Sequence, residues 1–267
     1  MFCKGRRRTI RIIDFHTHIF PETIADKAVE FISGYYNVPA ACTGKLENLL
    51  ETSKEINVYK NIVLPTAIRP DQVYKINEWA ASIKNERIIF FGAIHPNCDD
   101  IKAEVEHIIS LGLQGIKMHP DFQDFEIDSK SAYLVYEAVD DKLPIMIHLG
   151  DENHTRSTPK RLSRVLDDFP NLTVIGAHLG GYMQWDETRE HLAGRDLYFD
   201  TSSALWCMNP YDAAELIRLH GTNQVLFGTD YPITAHKDEL NRFMALPLTE
   251  QEREDILYNN ACCLLGI

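Results

Sequence analysis

Short apolar runs that end in a polar residue recur along the chain, separated by segments whose apolar residues return every three or four positions. The runs read as strands and the intervening segments as helices, because a buried strand is a brief β-branched or aromatic block whereas an amphipathic helix repeats every 3.6 residues. Strands are expected near Ile10–His16, Asn61–Pro65, Ile88–Ile94, Gln114–Met118, Pro144–His148, Leu172–Ala177, Leu197–Thr201 and Val225–Thr229. Several helices carry their own start and stop signals. Asp99 is placed to cap a segment bearing Ile101, Val105, Ile108 and Ile109, which Gly112 stops, and Thr158-Pro159 and Asn209-Pro210 each pair an N-cap with proline in the first turn. Gly221 ends the second of these, and Thr249 with Glu252 has the spacing of a capping box opening the final helix. Strands and helices alternating in this way predict an α/β fold, a (β/α)8 barrel over residues 1–267 as a single domain, with its site at the C-terminal ends of the strands. An open doubly wound sheet suits the chain less well, since no Gly-x-Gly-x-x-Gly follows the first strand. Residues 1–9 read as a basic tail. Residues 34–60 read as an irregular insertion near the barrel mouth, closing with a helix that carries Leu46, Leu49, Leu50 and Ile56.

Composition narrows the partners. The 267 residues hold 27 basic and 39 acidic side chains, a net charge of -12, although Lys4, Arg6, Arg7, Arg8 and Arg11 crowd the start. That balance opposes binding to a phosphate backbone, so nucleic acid is not an expected partner. The basic start does not open a signal peptide, because Ile10-Arg11-Ile12-Ile13-Asp14 is too short and too charged for an apolar core. No apolar run approaches the ~20 residues of a membrane helix, and no membrane partner is expected. Cys3, Cys42, Cys98, Cys207, Cys262 and Cys263 are scattered without a Cys-x-x-Cys, which predicts free thiols and a cytoplasmic location. A homo-oligomer is left open.

The identity of the strand-end residues carries the chemistry. His16 and His18 stand two apart at the end of the first strand, where a period of two points both rings to one side. His119, His148, His178, Asp200 and Asp230 close later strands. Polar loops alone would place Ser, Asn, Lys and Glu there as often, whereas imidazoles and carboxylates converging on one rim supply metal ligands. Lys117 and His119 share a strand face, so both are expected to look into the cavity. Lys117 can form an ion pair with Asp14 or Asp200. His95, before Pro96, reads as a structural turn, and His107, His191 and His220 belong to outer helices with no expected role. Arg156, His154, Tyr182, Trp206 and Tyr231 fall in strand-to-helix loops, where substrate contacts arise.

Asp14-Phe15-His16-Thr17-His18, His148, His178 and Gly228-Thr229-Asp230-Tyr231-Pro232 together resemble the amidohydrolase superfamily. Within it, Ile175-Gly176-Ala177-His178-Leu179-Gly180-Gly181, Phe227-Gly228-Thr229-Asp230 and the closing Asn259-Asn260-Ala261-Cys262-Cys263-Leu264-Leu265-Gly266 are similar to the amidohydrolase-related family 2 branch. The resemblance implies that His16, His18 and His148 bind one divalent metal, with Asp230 as a further ligand or close neighbour. Zinc is the expected ion, and manganese, iron or cobalt also suit imidazole and carboxylate. A second metal is implied if Lys117 is carboxylated as in binuclear relatives. Asp230 would move the proton, and His178 would polarise a substrate carbonyl or help hold a second metal. The expected reaction is hydrolysis of an amide, lactone or ester-like bond of a small molecule by metal-activated water. The alternative is a metal-dependent decarboxylase of an aromatic or unsaturated carboxylic acid. For either reaction His119 and Arg156 are candidate substrate contacts, and the resemblance implies that Lys117, where it is not carboxylated, binds a substrate carboxylate. A TatD-type nuclease fits less well, because the strand-four glutamate of such enzymes is missing, and a non-enzymatic metal-binding scaffold is disfavoured by the presence of every ligand type.

Overall fold

The computed structural model describes residues 11–267, so the basic tail expected over residues 1–9 and Cys3 lie outside the described residues. Its strands are β1 (Ile12–Thr17), β2 (Val58–Val63), β3 (Ile88–Phe90), β4 (Gly92–Ala93), β5 (Ile116–Met118), β6 (Ile145–Ile147), β7 (Val174–Gly176), β8 (Tyr198–Asp200) and β9 (Val225–Leu226). Every pairing is parallel, in the orders β1-β2-β3 and β4-β5-β6-β7-β8-β9. The two sheets are joined within the third predicted strand. Phe91 N donates to Val63 O at 3.0 Å, and Gly92 N donates to Gly115 O at 2.7 Å, so this one run changes partner between adjacent residues. At the other seam Phe15 N donates to Phe227 O at 2.8 Å and Thr17 bridges Tyr231, linking the first strand to the last. The architecture is the expected α/β arrangement of parallel strands.

Alternation along the strands sorts the side chains. Ile13, Ile62, Ile89, Met146, Ile175 and Leu226 form an inner cluster, while Ile12, Val63, Ile116, Ile145, Val174 and Val225 belong to the larger cluster that includes the helices. Each such side chain removed from water contributes ~1.5–3 kcal/mol, so register is strongly specified. β1 interrupts its own alternation: Asp14 pairs with Asn61 and Thr17 with Val63, three residues of β1 being spanned by two of β2. This bulge keeps Phe15 in the inner cluster and still turns His16 into the cavity at the rim, the re-aiming that an extra residue in one strand produces.

Helix α1 (Glu22–Tyr36) and helix α2 (Leu46–Glu55) follow β1. α1 lines the mouth, through Ile24, Ala28, Phe31, Ile32 and Tyr36. α2, within the segment expected near the mouth, instead packs on β2 and on helix His236–Met244, with Leu49 fully buried. The helix at Ile101–Ser110 is capped by Asp100 rather than Asp99, its side chain accepting from Ala103 N at 3.0 Å. Thr158, Asn209 and the Thr249–Glu252 capping box hold the helix starts assigned to them. A π-turn at Asp255–Asn259 leaves Ile256 O to accept from Phe227 N at 3.0 Å, which ties the C-terminal helix to the sheet. Among the described residues no helix is long and apolar enough to cross a membrane, and Cys42, Cys98, Cys207, Cys262 and Cys263 are free.

Candidate metal centre

The strand ends open into a cavity of about 600 Å³ lined by His16, His18, Lys117, His119, His148, His178 and Asp230. Three of these approach one point. His16 Nε2 and His18 Nε2 are 3.2 Å apart, and Asp230 Oδ1 lies 3.5 Å from the first and 3.4 Å from the second. The partners on the far side of each ring fix the tautomers. His16 Nδ1 donates to Asp200 Oδ2 at 2.9 Å, and His18 Nδ1 donates to the carbonyl of Leu64 at 2.7 Å. Both Nε2 atoms therefore present lone pairs to each other and to a carboxylate.

A neutral His16 ring and an ionised acid make that cluster electron-rich. Burial drives His16 down to about 4 despite the opposing pull of Asp200. Burial acts to raise Asp230, but the imidazoles of His18, His16 and His178 around it outweigh that and hold the carboxyl well below its usual range. Ser203 Oγ donates to Asp230 Oδ2 at 2.5 Å, leaving Oδ1 turned toward the histidines. Two imidazole nitrogens and one carboxylate oxygen without a proton to share repel unless a cation lies between them, so this donor set fits a divalent metal. The carboxylate behind His16 is the support that raises a ligand's basicity.

Backbone shape places these ligands as much as strand direction does. His178 (φ 61°) and Asp230 (φ 61°) both adopt the left-handed region, which costs a non-glycine residue on the order of 1–3 kcal/mol. A Cβ at Gly228 would fall 2.8 Å from His16 Cβ and 3.2 Å from Asp200 Oδ1, so only glycine lets the chain after β9 approach His16 this closely. Asp14 ties the same two elements together. Its Oδ1 accepts from His16 N at 3.2 Å and Thr229 N at 3.0 Å, and its Oδ2 accepts from Thr229 Oγ1 at 2.6 Å.

His148 stands beside this cluster rather than in it, with Nδ1 3.0 Å from His178 Nε2 and Nε2 3.1 Å from Gly150 O. His178 Nδ1 donates to Ser202 O at 3.0 Å, so its Nε2 also faces His148 as a lone pair. His119 stacks on His148 with ring centroids 3.9 Å apart, and burial lowers both imidazoles well below their ordinary range. Lys117 is buried in the cavity wall with no hydrogen-bond partner among the described residues, and the ion pair expected with Asp14 or Asp200 does not form. Burial lowers its ammonium to about 8. Arg156 takes no part in the cavity and pairs with Asp124 at 2.5 Å, while His154 faces Asp151. His95 holds its turn through Asn97 N.

The structure gives one strand-end residue a different partner and adds two serines that the strand-end pattern does not name. Asp200 serves His16 rather than Lys117, and Ser202 and Ser203 hydrogen-bond the ligands and their partners. The run Asp200-Thr201-Ser202-Ser203 is a signal for them, being four consecutive polar residues after a strand. Tyr36, whose hydroxyl lies 3.3 Å from His119 Nε2 and 3.2 Å from His148 Nε2, comes from the mouth helix and leaves no local sequence signal.

Solved structures share this architecture. An uncharacterized TIM-barrel protein from Bordetella bronchiseptica is similar with a TM-score of 0.73 and 19% identity, over 96% of this chain and 98% of that one. The 5-carboxyvanillate decarboxylase LigW from Sphingomonas paucimobilis is similar at 0.71 and 15%, over 97% and 99%. A dihydroxybenzoic acid decarboxylase from Polaromonas sp. JS666, with bound manganese and the inhibitor 2-nitroresorcinol, is similar at 0.73 and 15%, over 96% and 97%. At these identities the likeness is one of fold. No curated protein matches the chain in sequence. The sequence pattern of one family does match, from residue 13 to residue 267, and the chain belongs to the amidohydrolase family.

Proposed function

We propose that this protein is a metal-dependent decarboxylase of an aromatic or otherwise unsaturated carboxylic acid. The observation that carries the reading is the Lys117 ammonium, buried and unpartnered in the same cavity as the His16, His18 and Asp230 cluster. An unpaired buried cation is costly, and a substrate carboxylate would neutralise it. Between the charged groups the cavity wall is largely apolar and aromatic, with Phe31, Tyr36, Phe122, Tyr182 and Trp206 suited to a planar substrate. The decarboxylases of similar fold support this over hydrolysis of an amide, lactone or ester, the reaction first expected from the sequence.

A divalent ion held by His16, His18 and Asp230, with His148 alongside, would supply Lewis acidity toward substrate oxygens. Zinc and manganese both suit these donors, and one structure of similar fold contains manganese. Lys117 orients the acid. Decarboxylation breaks the bond between the carboxylate and its carbon, leaves the electron pair on that carbon and requires one proton there. We assign that proton to Asp230, whose carboxylate rests ionised and so first takes a proton from solvent before delivering it to the carbon, with His178 as the second candidate.

The test is product analysis with metal-reconstituted enzyme. Carboxyl-labelled benzoic and unsaturated acids are expected to release labelled carbon dioxide, one proton replacing the carboxylate. Incorporation of labelled solvent oxygen into the cleaved product of an ester or lactone, with no carbon dioxide from any acid, would refute the proposal in favour of hydrolysis.

A further inference from the structure

A second set of ligand-type side chains lies in the loops after β5 and β6, apart from His16, His18 and Asp230. Asp121, Asp151 and His154 each place one oxygen or ring nitrogen within 4.8 Å of the other two. The two carboxylates are only 9% and 3% exposed. Their neighbours supply little positive charge. Asp121 Oδ2 accepts from Ser157 Oγ at 2.6 Å, and Asp151 accepts from Tyr35 OH at 2.9 Å and from the backbone of Asn153 and His154. Arg156, the nearby guanidinium, is committed to Asp124.

Asp121 Oδ1 is buried with no hydrogen-bond partner. A buried carboxylate oxygen left bare has lost its water without replacement, and no described residue supplies the missing donor. We propose that Asp121, Asp151 and His154 form a second divalent-cation site, filled by a first-row transition ion. Two carboxylates with one imidazole suit such an ion, whereas calcium and magnesium favour oxygen alone. His154 now directs Nδ1 at Asp151 Oδ1, 3.1 Å away, so an incoming cation takes the Nδ1 lone pair once the ring proton has moved to Nε2. The His154 side chain is 37% exposed, which gives the ion a way in. Because Tyr35 of α1 also bonds Asp151, an ion here would fasten the loops after β5 and β6 beneath the mouth helix.

Cobalt(II) binding to the full chain, counted by equilibrium dialysis, tests this without reference to the reaction catalysed. The wild-type protein is expected to bind two equivalents. His16→Ala/His18→Ala should keep one, and adding His154→Ala or Asp121→Asn should weaken that remaining site by about tenfold or more. His154 is partly exposed, so its truncation leaves the core intact, and circular dichroism checks the fold of each variant. One equivalent in the wild type with none in His16→Ala/His18→Ala would overturn the proposal. It would equally be overturned if the remaining site ignored His154→Ala and vanished in His148→Ala, which would put the ion on the His119, Asp121 and His148 side.

Discussion

Replacing Lys117 with methionine keeps the length and apolar bulk of the side chain and deletes its charge. Burial lowers the ammonium from its ordinary 10.5 to about 8, with Asp200 and Asp230 only partly offsetting the loss of water. That difference corresponds to about 3 kcal/mol of unfavourable charge burial before substrate arrives. A carboxylate docked against the ammonium recovers much of it, so Lys117→Met should raise the KM of an acid substrate by about 10²-fold while kcat changes less. The folded value lies below the unfolded one, so the unfolded chain binds more protons between pH 8 and pH 10.5, and Lys117 makes stability rise across that window. Lys117→Met should remove the rise and make the protein more stable at neutral pH. The assays are steady-state kinetics, urea unfolding at several pH values and metal content. An unchanged KM would refute the assignment of Lys117 to the substrate carboxylate. Loss of about one metal per chain would instead identify a carboxylated lysine bridging two ions.

Three further outcomes follow from particular contacts. Asp230→Asn retains an oxygen that can face the metal but removes the basic charge, so kcat should fall by roughly 10²-fold or more with metal at least partly retained; near-normal turnover would shift the proton to His178. Gly228→Ala places a methyl 2.8 Å from His16 Cβ, and metal affinity measured by competition with a chelator should drop at least about tenfold while the fold, followed by circular dichroism, persists. Glu239 is fully buried, with one oxygen on Arg242 Nη1 at 2.9 Å and the other unpartnered, and burial pushes it up to about 8 against the pull of Arg242. Its folded value lies above the unfolded one, so the contribution present below about pH 4.5 is lost as pH rises toward 8, by up to about 5 kcal/mol, and Glu239→Gln should flatten that part of the urea-unfolding profile.

The strand ends were legible because, in parallel strands followed by helices, the last residue of each apolar run is also the residue that reaches the rim. His16, His18, Lys117, His119, His148, His178 and Asp230 all line one cavity for that reason. What the period of two cannot convey is the deviation from it. The bulge in β1 depends on the register against β2, and the left-handed turns at His178 and Asp230 depend on loops closing around them. Asp100 rather than Asp99 caps its helix because two adjacent aspartates give the same local signal and only backbone geometry chooses between them. Arg156 looked like a substrate contact on loop position alone, yet the exposed Asp124 captures it. α1 and its Tyr36 were not legible as part of the site, since an amphipathic helix shows that it covers something without showing what.

In the proposed reaction one metal, on His16, His18 and Asp230, and one ammonium, on Lys117, hold the same carboxylic acid. Anomalous diffraction from crystals grown with manganese and an unreactive aromatic acid tests it most directly. A manganese peak is expected about 2.2 Å from His16 Nε2, His18 Nε2 and an Asp230 oxygen, with an acid carboxylate on Lys117 Nζ and the ring against the aromatic wall. Manganese bound away from these three residues, or an acid lying in the cavity with its carboxylate remote from Lys117, would contradict it.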